Sequence, residues 1–139
     1  MYFSSALIQG SGVICLRPKL TRSESVLSNN RSELNESISN IVTDLEDSAS
    51  LSGEQLRDWI DEHLREDLRR FAEARESMVH LYGLQTYADI MSNFATGERY
   101  INRVWSSSAD GYDAEAESYL GRAAEQFRSA QSQLTAAGN

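Results

Sequence analysis

The chain has a single proline, a single cysteine and a single lysine among its 139 residues. Because the proline is Pro18, nothing after it carries the residue that breaks helices outright. Cys15 has no internal disulfide partner, and with no Cys-x-x-Cys or Cys/His spacing there is no zinc pattern, so no oxidising compartment is required. Lys19 stands beside twelve arginines in a chain of net charge −8. Nucleic-acid backbones and anionic membranes draw affinity from Lys/Arg neutralisation, so neither is an expected partner. Long apolar runs are also missing, with no window near the roughly 18 residues of a spanning helix. The stretch Met1–Leu16 is apolar, yet it has no basic residue ahead of its apolar part, Gly10 and Gly12 break it, and Ile14 precedes Cys15. It therefore reads as neither a signal peptide nor a lipoprotein leader. The expectation is a soluble chain, cytoplasmic or part of an assembled particle, microbial or viral, with the Arg-over-Lys, acid-rich usage of salt-adapted organisms.

Catalytic motifs are equally scarce. There is no Gly-x-Ser-x-Gly, and Gln9-Gly-Ser-Gly12 lacks the Gly-Lys-Ser/Thr of a phosphate loop. The twenty serines fall in caps, turns and polar helix faces. No enzyme activity and no cofactor are expected.

What the chain does have is helical periodicity. From Glu54 to Tyr82, Leu56, Trp59, Ile60, Leu64, Leu68, Phe71, Met78, Val79 and Tyr82 recur at steps of three and four, opposite a charged face of Arg57, Asp58, Asp61, Arg65, Glu66, Arg69, Glu73 and Glu76. Thr21-Arg-Ser-Glu24 has the spacing of a capping box and starts an earlier stripe through Val26 or Leu27, Leu34, Ile38, Ile41, Val42 and Leu45, about two coiled-coil-like heptads long. Ser52 to Gln55 is a second capping box, with Leu51 and Leu56 at hydrophobic-staple positions. Gly83 is expected to break the pattern, with a new helix starting at Thr86-Tyr-Ala-Asp89; a continuous central helix through Gly83 is the other solution. Tyr87, Ile90, Met91, Phe94, Ile101, Val104 and Trp105 form a third stripe with Gly97 as a soft point. A turn over 105–111 then leads to a fourth stripe, capped by Asp110 or Ser108, through Ala116, Tyr119, Leu120, Ala123, Phe127, Ala130 and Leu134. The predicted fold is all-α, an antiparallel four-helix bundle over 21–139, or three helices with a long central one.

Residues 1–20 are set apart from that bundle. Short apolar runs around Gln9–Gly12 suggest a hairpin or arm, and Tyr2, Phe3, Leu7, Ile8, Val13, Ile14 and Leu16 are the expected interface residues because a closed bundle leaves them no place. The expected partner is protein, foremost copies of this chain. An alternative function, ligand or metal binding, would use Trp59, His63, Glu66, His80 and Tyr82. His63 and His80 are 17 residues apart, about 25 Å on one helix, so they do not share an ion within a subunit and no metal site is expected.

Two short stretches resemble known helical families. Tyr119-Leu-Gly-Arg-Ala-Ala-Glu-Gln-Phe127-Arg-Ser-Ala130 resembles part of a tetratricopeptide helix pair, without a 34-residue repeat, and Trp105 beside a helix turn is similar to the WxG helical hairpins, with Ser107 in place of glycine. Neither covers more than a fifth of the chain.

Overall fold

The computed structural model describes residues 19–139, and all its regular structure is helical. The expected N-terminal hairpin, with Tyr2, Phe3, Leu7, Ile8, Val13, Ile14 and Leu16, lies outside the described residues. The helices are α1 (Arg22–Asp47), α2 (Gly53–Trp59), α3 (Arg65–Ala74), α4 (Ser77–Tyr82), α5 (Leu84–Ala109) and α6 (Asp113–Ala137). A 3-10 turn, Ser48–Ser50, follows α1, and a π turn, Ile60–Leu64, joins α2 to α3. α5 packs on α6, α1 packs on α3, α4 and α6, and α2 and α4 both lie against α5.

The predicted stripes form one core. Leu34, Ile38, Ile41, Val42 and Leu45 of α1 meet Leu56, Ile60, Leu64, Leu68, Phe71 and Met78 from the second limb, then Ile90, Phe94, Ile101 and Val104 of α5 and Leu120, Phe127 and Leu134 of α6, all buried. Met91 and Tyr119 are half-buried at its edge.

The second stripe departs from a plain α-helix in a way its spacing explains. Leu56, Ile60, Leu64 and Leu68 are buried at four-residue intervals. On an α-helix each such step overshoots a full turn by about 40°, so the row would spiral off the core. The wider π turn at Ile60–Leu64 absorbs the excess. A further interruption at Arg75–Glu76 ends α3, where Arg75 folds its Nη1 back onto the Ala72 carbonyl at 2.6 Å.

Helix ends confirm some devices and correct others. Thr21 and Glu24 form the predicted capping box, at 3.1 Å and 2.8 Å. Ser52 is the N-cap of α2 as expected, but its hydroxyl makes no capping bond. Gly53 enters the helix at φ +59°, and its carbonyl is instead tied across the molecule by Ser108 Oγ at 3.0 Å. The supposed turn at 105–108 is helical: α5 runs on to Ala109 because Ser107 and Ser108, both buried, find partners in Glu115 and in Gly53 and Arg57. The last helix then starts at Asp113 with Tyr112 as N-cap, and neither Asp110 nor Ser108 caps it.

The break at Gly83 is real, but α5 begins at Leu84, two residues before the expected start. Gly83 donates to Val79 O at 3.0 Å and accepts from Tyr87 N at 3.1 Å, closing one helix and opening the next with no loop between. It does so at φ +91°, ψ 163°, a conformation that L side chains avoid. Nothing lies within 4 Å of where its Cβ would stand, so the penalty for substitution is torsional alone. Gly83→Ala is expected to lose about 1–3 kcal/mol in urea unfolding. Gly121→Ala, in open space mid-helix, should instead gain about 0.5–1 kcal/mol.

Gly97 is no soft point. It is buried in the α5–α6 contact, and a Cβ there would come within 2.7 Å of the Phe127 ring.

Candidate functional site

Where α1 begins, its apolar stripe runs out of the core. Leu27 is half-buried, Val26 is 49% exposed, and Leu20 is 62% exposed. These first turns and the α3–α4 corner enclose a groove of about 620 Å³ lined by Arg22, Ser23, Val26, Leu27, Asn30, Glu73, Glu76, Ser77 and His80. Asn30 Nδ2 donates to Ser77 Oγ at 2.7 Å on its floor, which fixes α1 against α4. The Thr21 amide holds the Glu24 carboxyl below its ordinary range, so the capping box keeps its charge in mildly acidic solution. The groove thus joins an apolar patch to mixed charge at the N-terminal end of α1.

The residues of the alternative ligand site are dispersed. Trp59 donates its Nε1 to the Asp44 carbonyl at 3.1 Å, and its ring lies 4.0 Å from that of exposed His63. Glu66 is exposed and pairs with Arg69. His80 stands in the groove, and Tyr82 packs half-buried against the core. Only Trp59 and His63 meet. Among the described residues, no three His, Cys, Asp or Glu side chains are grouped to hold a metal ion.

Family models, curated proteins and solved structures give no match to this chain.

Charge is used structurally between α1 and α3. Arg70 forks onto Glu33 at 2.9 and 3.1 Å, reaches Glu36 at 2.8 Å and donates to buried Asp67 at 2.9 Å, while Asn40 Nδ2 adds a bond to the same Asp67 oxygen at 3.3 Å. Hydrogen bonding to Glu33, then Glu36, pushes the Arg70 guanidinium above its ordinary range, and the Arg70 bond holds the Glu33 carboxyl down. Burial, with Asp67 nearby, raises Asp44, and burial raises Glu98. The signs are opposite. The lowered Glu33 contributes stability above its unfolded value of 4.5 that is lost as pH falls through its folded value. Raised Asp44 and Glu98 contribute stability below their unfolded values of 3.8 and 4.5 that is lost as pH rises through their folded values. Glu98→Gln should therefore raise the Tm at neutral pH, with the gain vanishing below pH 4.5, as followed by circular dichroism melts.

One concavity was not anticipated. About 260 Å³ in volume, it is lined by Thr96, Arg99, Tyr100, Arg103, Tyr119 and Arg122. A signal was present in the sequence: Arg99 and Arg103 are four apart and neither has a carboxylate three or four residues away, so helix-surface pairing leaves both unneutralised.

Proposed function

We propose that this chain is a non-enzymatic, antiparallel four-helix bundle that mediates protein–protein interaction or assembly, binding copies of itself through the apolar residues Tyr2, Phe3, Leu7, Ile8, Val13, Ile14 and Leu16. The bundle topology is supported by cross-limb pairs whose numbers run in opposite senses. Asn30 meets Ser77, Glu33 meets Arg70 and Asp44 meets Trp59; Arg57 meets Ser108 and Arg65 meets Asn102; Asn93 meets Gln133 and Ser107 meets Glu115.

The observation that carries the assembly reading is the apolar surface exposed where α1 begins, at Leu20 and Val26. Val26 lines the groove, and the seven apolar residues precede this exposed surface directly in sequence, which makes the two together a candidate for a single contact face. Among the described residues, no helix is long and apolar enough to cross a membrane.

Light scattering of the full chain and of a chain lacking residues 1–20 tests this. A lower mass for the truncated protein, with helicity by circular dichroism retained, is expected. Equal masses would remove the N-terminal segment from any role in assembly.

A further inference from the structure

We infer that the α5–α6 concavity around Tyr119 binds a small, multiply charged oxyanion, a phosphate or carboxylate compound. In a chain of net charge −8, three guanidiniums converge on one hollow whose lining holds no acid. Arg99, Arg103 and Arg122, like Arg22, Arg31, Arg57 and Arg75, have no carboxylate within 4.0 Å among the described residues; what sets the three apart is that they share one hollow.

Their positions are set by neutral groups. Arg103 and Arg122 lie 5.6 and 5.7 Å from the centre of the Tyr119 ring, within cation–π range. Arg103 also donates to the Tyr119 hydroxyl at 3.4 Å, and Arg99 donates to Thr96 Oγ1 at 3.0 Å. Tyr119 is backed by Tyr100, with ring centres 6.0 Å apart at 25°. Tyr119 and Thr96 therefore hold the cations around one hollow without neutralising them, which preserves forked donors for an anion. Two of the arginines are one turn apart on α5 and the third faces them from α6, so a bound anion would be gripped from both helices. The hollow is smaller than the roughly 300 Å³ at which drug-sized pockets begin, which suits one or two anionic groups rather than an extended ligand.

This inference does not depend on the assembly reading and is tested separately. Inorganic pyrophosphate and citrate are titrated by calorimetry into the full chain in low-salt, phosphate-free buffer. Saturable binding of either supports the site, and the tighter of the two gives the class. Arg103→Gln with Arg122→Gln is expected to weaken it by about tenfold per guanidinium removed. Arg122→Lys should fall in between, because it keeps the charge but loses the fork. Arg65→Gln, a cation outside the hollow, should leave the affinity unchanged.

Three results would overturn the site: no saturation by either anion, saturation unaffected by the double variant, or equal weakening by Arg65→Gln, the mark of net charge alone. A fall in assembly mass in the double variant, with no anion bound by the parent, would assign the arginines to a protein contact and equally overturn it. Circular dichroism establishes that each variant is folded.

Discussion

Phe94→Ala is expected to lower the unfolding free energy by about 3–5 kcal/mol, measured as a shift in urea midpoint at unchanged m-value. Phe94 is fully buried between two other fully buried rings: it stacks on Phe71 of α3 at 4.3 Å and 16°, and meets Phe127 of α6 edge-on at 5.4 Å and 76°. Truncation removes both aromatic contacts, each worth about 0.5–1.5 kcal/mol beyond area alone. It also leaves a hole that the surroundings are poorly placed to close. Phe127 sits directly over Gly97, where even a methyl group would meet three of its ring atoms at 2.7–2.9 Å, so this ring is already wedged against backbone. The expected loss is therefore toward the upper end of the range. Gly97→Ala should also destabilise, since its gain in helix propensity, about 1 kcal/mol, is opposed by an overpacking cost of about 1–3 kcal/mol. Recovery of stability in Gly97→Ala combined with Phe127→Leu would show that the ring is the obstacle.

Arg70→Ala is expected to cost about 2–3 kcal/mol, far more than surface ion pairs of this chain. The difference lies in what is left behind. Removing Arg70 strands buried Asp67 with only the 3.3 Å bond from Asn40 and frees Glu33 and Glu36 to repel each other across one turn. Arg69, by contrast, bridges exposed Glu66 and Glu73, and Arg69→Ala should leave the urea midpoint nearly unchanged. Asp67→Asn in the Arg70→Ala background should restore part of the loss, because a neutral amide tolerates that position without a cation. The Arg70→Ala deficit should shrink as pH falls below 4.5, where the lowered Glu33 gives up its contribution in the parent. A deficit constant with pH would mean that packing of the Arg70 stem, not its charge, was lost.

The parts of this fold that were legible in the sequence are those governed by local spacing. Leu34, Ile38, Ile41 and Leu45 lie at three- and four-residue steps and are buried, and the Thr21–Glu24 capping box depends on residues three apart. The break at Gly83 was visible because glycine marks it, although its abruptness was not: the expected start at Thr86 assumed a linker that the bonds of Gly83 make unnecessary. What escaped depends on partners distant in sequence. Ser106–Ser108 read as turn residues until Gly53, Arg57 and Glu115 are brought against them. Gly97 read as weakness until Phe127 is placed over it. The π turn was encoded in the unbroken four-residue repeat of Leu56, Ile60, Leu64 and Leu68, a drift that stripe counting does not register. For the candidate sites, periodicity marked apolar faces and helix rise separated His63 from His80, but neither could say that Arg122 stands across from Arg99 and Arg103.

The loopless corner has a bearing on how this chain tolerates changes in length. A single extra residue between Tyr82 and Leu84, accommodated as helix, would rotate everything downstream by about 100°. Ile90, Phe94, Ile101 and Val104 would leave the interior together, with no slack segment to dissipate the error. At Asp110–Tyr112, where non-helical residues separate α5 from α6, the same insertion has room to bulge outward. Indels should therefore be lethal to the fold at one junction and silent at the other, and the spacing between Tyr82 and Ile90 acts as a phase setting for half the molecule.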